Sequence, residues 1–390
     1  MSSVLFEGIN KKLVGMLLER SKYIDLLDDI QLMSPPFNQM DLSERIGIPQ
    51  STISKFFQRL ESIGVRIRTD YNIKRLGLIS HVVLLRNAWI DRVILEGPLM
   101  AVTYMANTLS GSILICRYPV SEARLSQAIH SYLKYYYGVK PDSLKAMYIT
   151  YQAMSKPRLG HYINESMRRG YGSLNPLNAL KVNDTHPRPH GIIGEIDSSY
   201  FGRFRDVIDL VIISALDRSA INYIRYAVEE LQVIRRGNQQ KYVRSHFSHV
   251  APALNGTKVM AYDKNNLLVS ILGLTSKRCS IDLIEEMYTY IYSTSLGYSN
   301  FKDSEFNIMI SASLPANYVV KFVNYMYYRC GWDEFHSALS SLDDIIKRYS
   351  ISYKLISYTS TGKPIFDFID LERTYFRKAR ASRMEYKIEK

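Results

Sequence analysis

Cysteine is scarce in this sequence: Cys116, Cys279 and Cys330 are an odd count, lie far apart and fit no metal spacing. A disulfide framework is not expected, and a reducing cytoplasm is the simpler setting. Acid is short as well, with 37 Asp and Glu against 50 Lys and Arg, a net charge of +13. Such an excess suits a polyanionic partner, nucleic acid or an anionic membrane surface, without prescribing a fold. No uncharged apolar run reaches the roughly 18 residues of a membrane span, and the opening MSSVLFEGINKK is too short and polar for a signal peptide. Catalytic signatures are missing too. There is no Gly-rich phosphate loop, nucleophile elbow, Ser/His/Asp order or paired-carboxylate spacing. The expectation is a protein that is not an enzyme, with no catalytic residue, no metal and no cofactor.

What is present is an ordinary globular composition, 46% hydrophobic and 22% charged over 390 residues, enough for two or three domains. Asn10 can cap a helix running to about Ile30, which Met33-Ser34-Pro35-Pro36 stops. A short helix from Met40 to Ile46 ends at Gly47, and a second from about Gln50 to Ile63 ends at Gly64. Val65 to Ile73 alternates apolar and basic residues and reads as a β-hairpin. Beyond Gly77, Ser80 to Leu85 reads as a strand and Gly97 to Leu109 as a helix. Ser112 to Cys116 is a strand, a helix opens at Ser121 and closes on Tyr135 to Tyr137, and Leu144 to Tyr151 is a strand. Strand and helix alternating in this way suggest a small α/β domain. Prolines and glycines interrupt residues 153–199, a linker.

The second half repeats the first in outline. GNQQKYVRSHFSHV from Gly237 aligns without gaps on GIPQSTISKFFQRL from Gly47. Helices are expected over Arg205 to Leu216, Ala220 to Leu231, Ser280 to Leu296 and Pro315 to Cys330, and strands over Leu267 to Leu274 and Phe306 to Ser311. Pro252 breaks the second recognition-like helix early, Asn255-Gly256 reads as a tight turn, and an extra helix is expected near Asp333 to Arg348. The expected architecture is α+β: tandem duplicated winged helix-turn-helix units, each followed by a small α/β domain. The boundaries are 1–78 winged helix, 79–152 α/β domain, 153–199 linker, 200–262 second, degenerate winged helix, 263–365 second α/β domain and 366–390 basic tail.

Residues 40–78 carry the chemistry. In the helix after Pro49, Ile53, Phe56, Phe57 and Leu60 form one face, while Gln50, Ser51, Thr52, Ser54, Lys55, Gln58 and Arg59 form the other. Hydroxyls, an amide and cations on an outer face are groups that read base edges and hold phosphates, with Arg66 and Arg68 flanking the groove as a wing. The segment LSERIGIPQSTISKFFQRLESIGV followed by RIRTDYNIKRLGL resembles the winged helix-turn-helix of archaeal and bacterial regulators of the Lrp/AsnC type. That resemblance implies DNA binding, transcriptional control and dimers, with Ser51, Thr52, Lys55, Gln58 and Arg59 at DNA-reading positions. Gln240, Lys241, Arg244 and Ser245 take the outward positions of the second copy, where a purely structural winged helix remains an equal alternative.

The functional expectation is a cytoplasmic, nucleoid-associated, sequence-specific double-stranded DNA-binding regulator, with a homodimer admitted and no membrane partner. The alternative is a replication-origin initiator-type or chromosome-organising winged-helix protein. A single-strand or RNA binder using some of the 30 tyrosines, and a pure assembly module, stand as further rivals. His246 and His249, three apart on a helix, form a possible metal pair without an evident third ligand, so phosphate contact or simple exposure is preferred. His186 and His190 read as solvated, and the basic stretch from Glu372 to Lys390 as a solvated helix.

Overall fold

The computed structural model describes residues 9–90, 99, 101–119, 125–148, 151–153, 207–234, 238–261, 263, 265–274, 297–302, 307–329, 331–341, 357–358 and 364–365. Nearly all of the 153–199 segment, the expected helix over 280–296, the basic tail, His186, His190, Cys279 and Cys330 lie outside these residues. No helix among the described residues is long and apolar enough to cross a membrane.

The N-terminal head is helical. The backbone N–H groups of Lys12 and Leu13 donate to Asn10 Oδ1 at 3.0 and 3.2 Å, which fixes the start of α1 (Lys11–Glu19). The single helix expected to Ile30 is two, because Arg20 is extended and α2 (Lys22–Leu32) restarts behind it. α3 (Gln39–Ile46) ends on Gly47 at φ 67°, and α4 (Gln50–Ser62) is followed by Gly64 at φ 80°, both left-handed closures that a Cβ would strain. Leu13, Leu17, Leu26, Leu27, Leu42, Ile53, Phe56 and Leu60 close one core, with Tyr23 and Phe56 rings 4.8 Å apart. Truncating one of these large side chains to Ala costs about 2–5 kcal/mol.

The expected hairpin does not form. β1 (Arg66–Tyr71) pairs antiparallel with β7 (Leu254–Met260) from the second half, Arg68 opposite Lys258 and Thr69 opposite Thr257. Asn255-Gly256 is part of this strand, not a tight turn. Asn72 N–H donates to Ala253 O at 2.8 Å and extends the pairing, while Ala220 N–H donates to Ile67 O at 2.7 Å and ties β1 to a further segment of the second half.

The first sheet has the order β3 (Val102–Thr108), β4 (Gly111–Pro119), β2 (Leu78–Arg86), β5 (Leu144–Tyr148), with α5 (Leu125–Tyr136) on one face. β3 replaces the helix expected over Gly97 to Leu109. Its side chains are buried on both faces, which removes the polar alternation that marks a strand. The second sheet runs β11 (Glu334–Ser341), β8 (Leu267–Leu274), β10 (Ile308–Leu314), β9 (Gly297–Lys302), β6 (Tyr151–Ala153). β11 stands where the extra helix near Asp333 was expected: it pairs along the whole of β8, and that ladder outweighs the segment's helix-like charge pattern. β6 comes from the first half and pairs with β9, so the chain crosses between sheets.

The sheets stack face to face. Val82, Leu84, Tyr104, Ile113 and Ile115 of one meet Leu268, Leu272, Met309 and Ala338 of the other. Arg86 clamps Glu334 with two bonds of 2.9 and 2.6 Å, and Ser110 meets His336 Nδ1 at 2.7 Å. α9 (Ala316–Arg329) covers the outer face of the second sheet through Phe322 and Met326. The fold is mixed α+β. Instead of two separate α/β domains, its antiparallel sheets share one interior.

Between the head and the sheets lie α6 (Val207–Arg218), α7 (Tyr223–Ile234) and α8 (Gln239–Val250). α6 is buried on every side, with Ile208, Leu210, Val211, Ile212, Ala215 and Leu216 inside the core. Its two acids, Asp209 and Asp217, are buried too and lie about 12 Å apart along the helix axis.

Candidate functional site

Asp217 lies in the last turn of α6, against β1. Arg68 Nη2 lies 3.2 Å from its Oδ1, and Tyr71 O–H donates to its Oδ2 at 2.9 Å. Burial pushes the Asp217 carboxyl above the usual carboxylate range, opposed by the charges of Arg68 and Arg117. Burial, with the Asp217 charge adding to it, raises the Tyr71 phenol as well. The network ties the first half's strand to the second half's helix, and it forms one wall of a cleft.

That cleft, about 750 Å³, lies between the head and α6–α7. A volume of that size is typical of a small-molecule site. Five cations line it, Lys11, Lys12, Arg66, Arg68 and Arg218, against three acids, Glu61, Asp217 and Asp263. Two of the acids are engaged internally: Asp217 with Arg68, and Glu61 with Asn222 Nδ2 and Tyr226 O–H at 3.2 and 3.4 Å. Arg218 stacks 3.9 Å above the Tyr226 ring. Lys11, Lys12 and Arg66 are exposed and pair with no acid among the described residues. The cleft therefore presents net positive charge to whatever enters it.

A second polar group is enclosed between the first sheet and α5. His81 on β2 is fully buried, and neither ring nitrogen has a hydrogen-bond partner among the described residues. Its ring lies 5.3 Å from Tyr118, 5.8 Å from Tyr148 and 6.3 Å from His130. Burial, with His130 adding to it, lowers the His81 pKa to about 3, so the imidazole is neutral. Tyr148 O–H donates to Ser126 Oγ at 3.3 Å.

The sequence-derived DNA-contacting set divides. Gln50, Ser51, Lys55, Gln58 and Arg59 are exposed on α4, with Thr52 and Ser54 half-buried beside them. Gln240, Lys241, Arg244 and Ser245 gather on the exposed face of α8. The wing is not there to flank a groove: Arg68 is buried against Asp217, and Arg66 faces the cleft. Sequence reasoning missed Asp217, Tyr71, His81, Tyr118 and Asp209. The available signal for the two acids was their place in VIDLVIISALDR, an otherwise apolar helix in which an acid needs a partner.

No family model and no curated protein matches the chain. Two solved structures do, that of siroheme decarboxylase NirDL in co-complex with an iron-uroporphyrin III analogue and that of siroheme decarboxylase NirDL. Their TM-scores are 0.42 and 0.41, each at 12% identity, covering 93% and 92% of this chain and 99% and 98% of theirs. Both are structures of an enzyme, and no DNA-binding regulator stands beside them. On that finding, the expectations of sequence-specific duplex binding, transcriptional control or its initiator-type and chromosome-organising alternative, and a chain without enzyme activity, are corrected. The buried Arg68 supplies a physical reason: the hairpin that would have been a wing is consumed in joining the two halves.

Proposed function

We propose that this chain takes a small, multiply anionic organic molecule, rich in carboxylate or phosphate, into the cleft between its two halves. The observation that carries the reading is the unpaired basic lining, Lys11, Lys12 and Arg66, around a cavity of about 750 Å³. Cations held by two packed elements at a concave site cost little reorganisation when an anion arrives, and the partly enclosed setting strengthens their attraction. Titration calorimetry of the full chain with citrate, inorganic phosphate and iron-uroporphyrin III tests it. Saturable one-to-one binding of at least one of these, weakened by salt, is the expected result. No heat from any of the three contradicts it.

We infer that the two halves descend from a tandem duplication, so that one chain supplies both sides of what would otherwise be a dimer contact. The gapless alignment of Gly47 on Gly237 also sets Arg68 on Lys258, and those two residues are cross-strand partners. A two-fold contact between equivalent strands requires such self-pairing. The strand order β5-β2-β4-β3 also has its counterpart in β11-β8-β10-β9. The likeness of residues 40–78 to the Lrp/AsnC winged helix is, in this reading, one of fold.

A further inference from the structure

We propose that Asp209, His246 and His249 form a binding site for a divalent first-row transition cation of the zinc type. The two histidines lie one turn apart on α8, and Asp209, near the start of α6, supplies the third ligand that the sequence alone does not reveal. His246 Nδ1 and His249 Nδ1 lie 3.2 and 3.1 Å from the same oxygen, Asp209 Oδ1. The three ligand atoms lie within 4.8 Å of one another. Zinc bonds of about 2.0–2.1 Å at tetrahedral angles set neighbouring ligand atoms about 3.3 Å apart. Two edges of the triangle already have that length.

Burial suits the assignment. The Asp209 side chain is 5% exposed, while those of His246 and His249 are 19% and 24% exposed. The carboxylate is held inside and the imidazoles open towards solvent, which gives the cation an entry path and leaves room for water at its remaining positions. Two imidazoles and one carboxylate select a zinc- or iron-like ion over calcium or magnesium, which prefer oxygen donors. The aligned positions of the first half are Phe56 and Arg59, neither of which can ligate, so the site belongs to the second half alone. It rests on different residues from the anion cleft and stands or falls separately.

The test uses the full chain, stripped with a chelator and titrated with Co(II), then with Zn(II). One equivalent of Co(II) is expected to give the visible absorption of a four- or five-coordinate nitrogen–oxygen site, displaced by Zn(II). His249→Gln and Asp209→Asn, each checked for an unchanged circular dichroism spectrum, should lower Zn(II) affinity by about 100-fold or more. His186→Gln with His190→Gln should leave it unchanged. Should Asp209→Asn disturb folding, His249→Gln carries the comparison alone, its ring being partly exposed. Absence of one-equivalent binding by the native chain, or equal affinity in the His249 variant, overturns the proposal.

Discussion

Arg68 and Lys258 face each other across the β1–β7 pair, two buried cations on neighbouring strands. Like charges set directly opposite are destabilising in a sheet. Asp217 offsets this on the Arg68 side, reaching both Arg68 and Tyr71 from α6. The junction between the halves is therefore electrostatically tuned as well as hydrogen-bonded.

Asp217→Asn should destabilise the chain by about 3–5 kcal/mol, because it leaves the Arg68 guanidinium buried without its counter-charge. Adding Arg68→Met should recover much of that loss. Urea unfolding with an unchanged m-value reads both effects. If the double variant is as weak as the single, the pair is not coupled as described.

His81 predicts an acid-sensitive core. Its folded pKa is lowered from 6.5 to about 3, so the unfolded chain takes up a proton that the native chain refuses. Stability should fall as pH drops from about 6.5 towards 3. Between pH 7 and 4 the loss from this residue is about 3 kcal/mol. His81→Phe, ring for ring, should lose correspondingly less over the same interval in denaturant titrations at the two pH values.

Glu230 predicts the opposite slope. Burial raises its carboxyl from 4.5 to about 7, with Arg218 opposing, so the native state holds the proton more tightly than the unfolded chain. Stability from this group is present below about 4.5 and is lost as pH rises through about 7. Glu230→Gln should therefore gain stability relative to the native chain at pH 8 and not at pH 4. Equal differences at both pH values would contradict the assignment.

Much of the helical head was legible because its signals are local: Asn10 caps, Gly47 and Gly64 close, and the apolar face of α4 recurs at helical spacing. β2 and β8 were legible as apolar runs. β3 was misread as a helix because burial on both faces erases alternation. β1 was misread as half of a hairpin because its partner lies in the other half of the chain, and no local pattern names a distant strand. The same limit hid both candidate sites. The third ligand for His246 is 37 residues away, and the partner of Tyr71 is 146 residues away.

The central claim is that the basic cleft between the halves is where this chain binds its ligand. The most direct measurement is the calorimetric affinity of the full chain for the anionic probe it binds best, compared across two pairs of replacements. Lys12→Ala with Arg66→Ala, inside the cleft, should weaken binding about tenfold or more, as loss of about 1.4 kcal/mol requires. Lys241→Ala with Arg244→Ala, on the exposed face of α8, should leave affinity unchanged. Full affinity in the cleft variant, with loss in the α8 variant, would contradict the account.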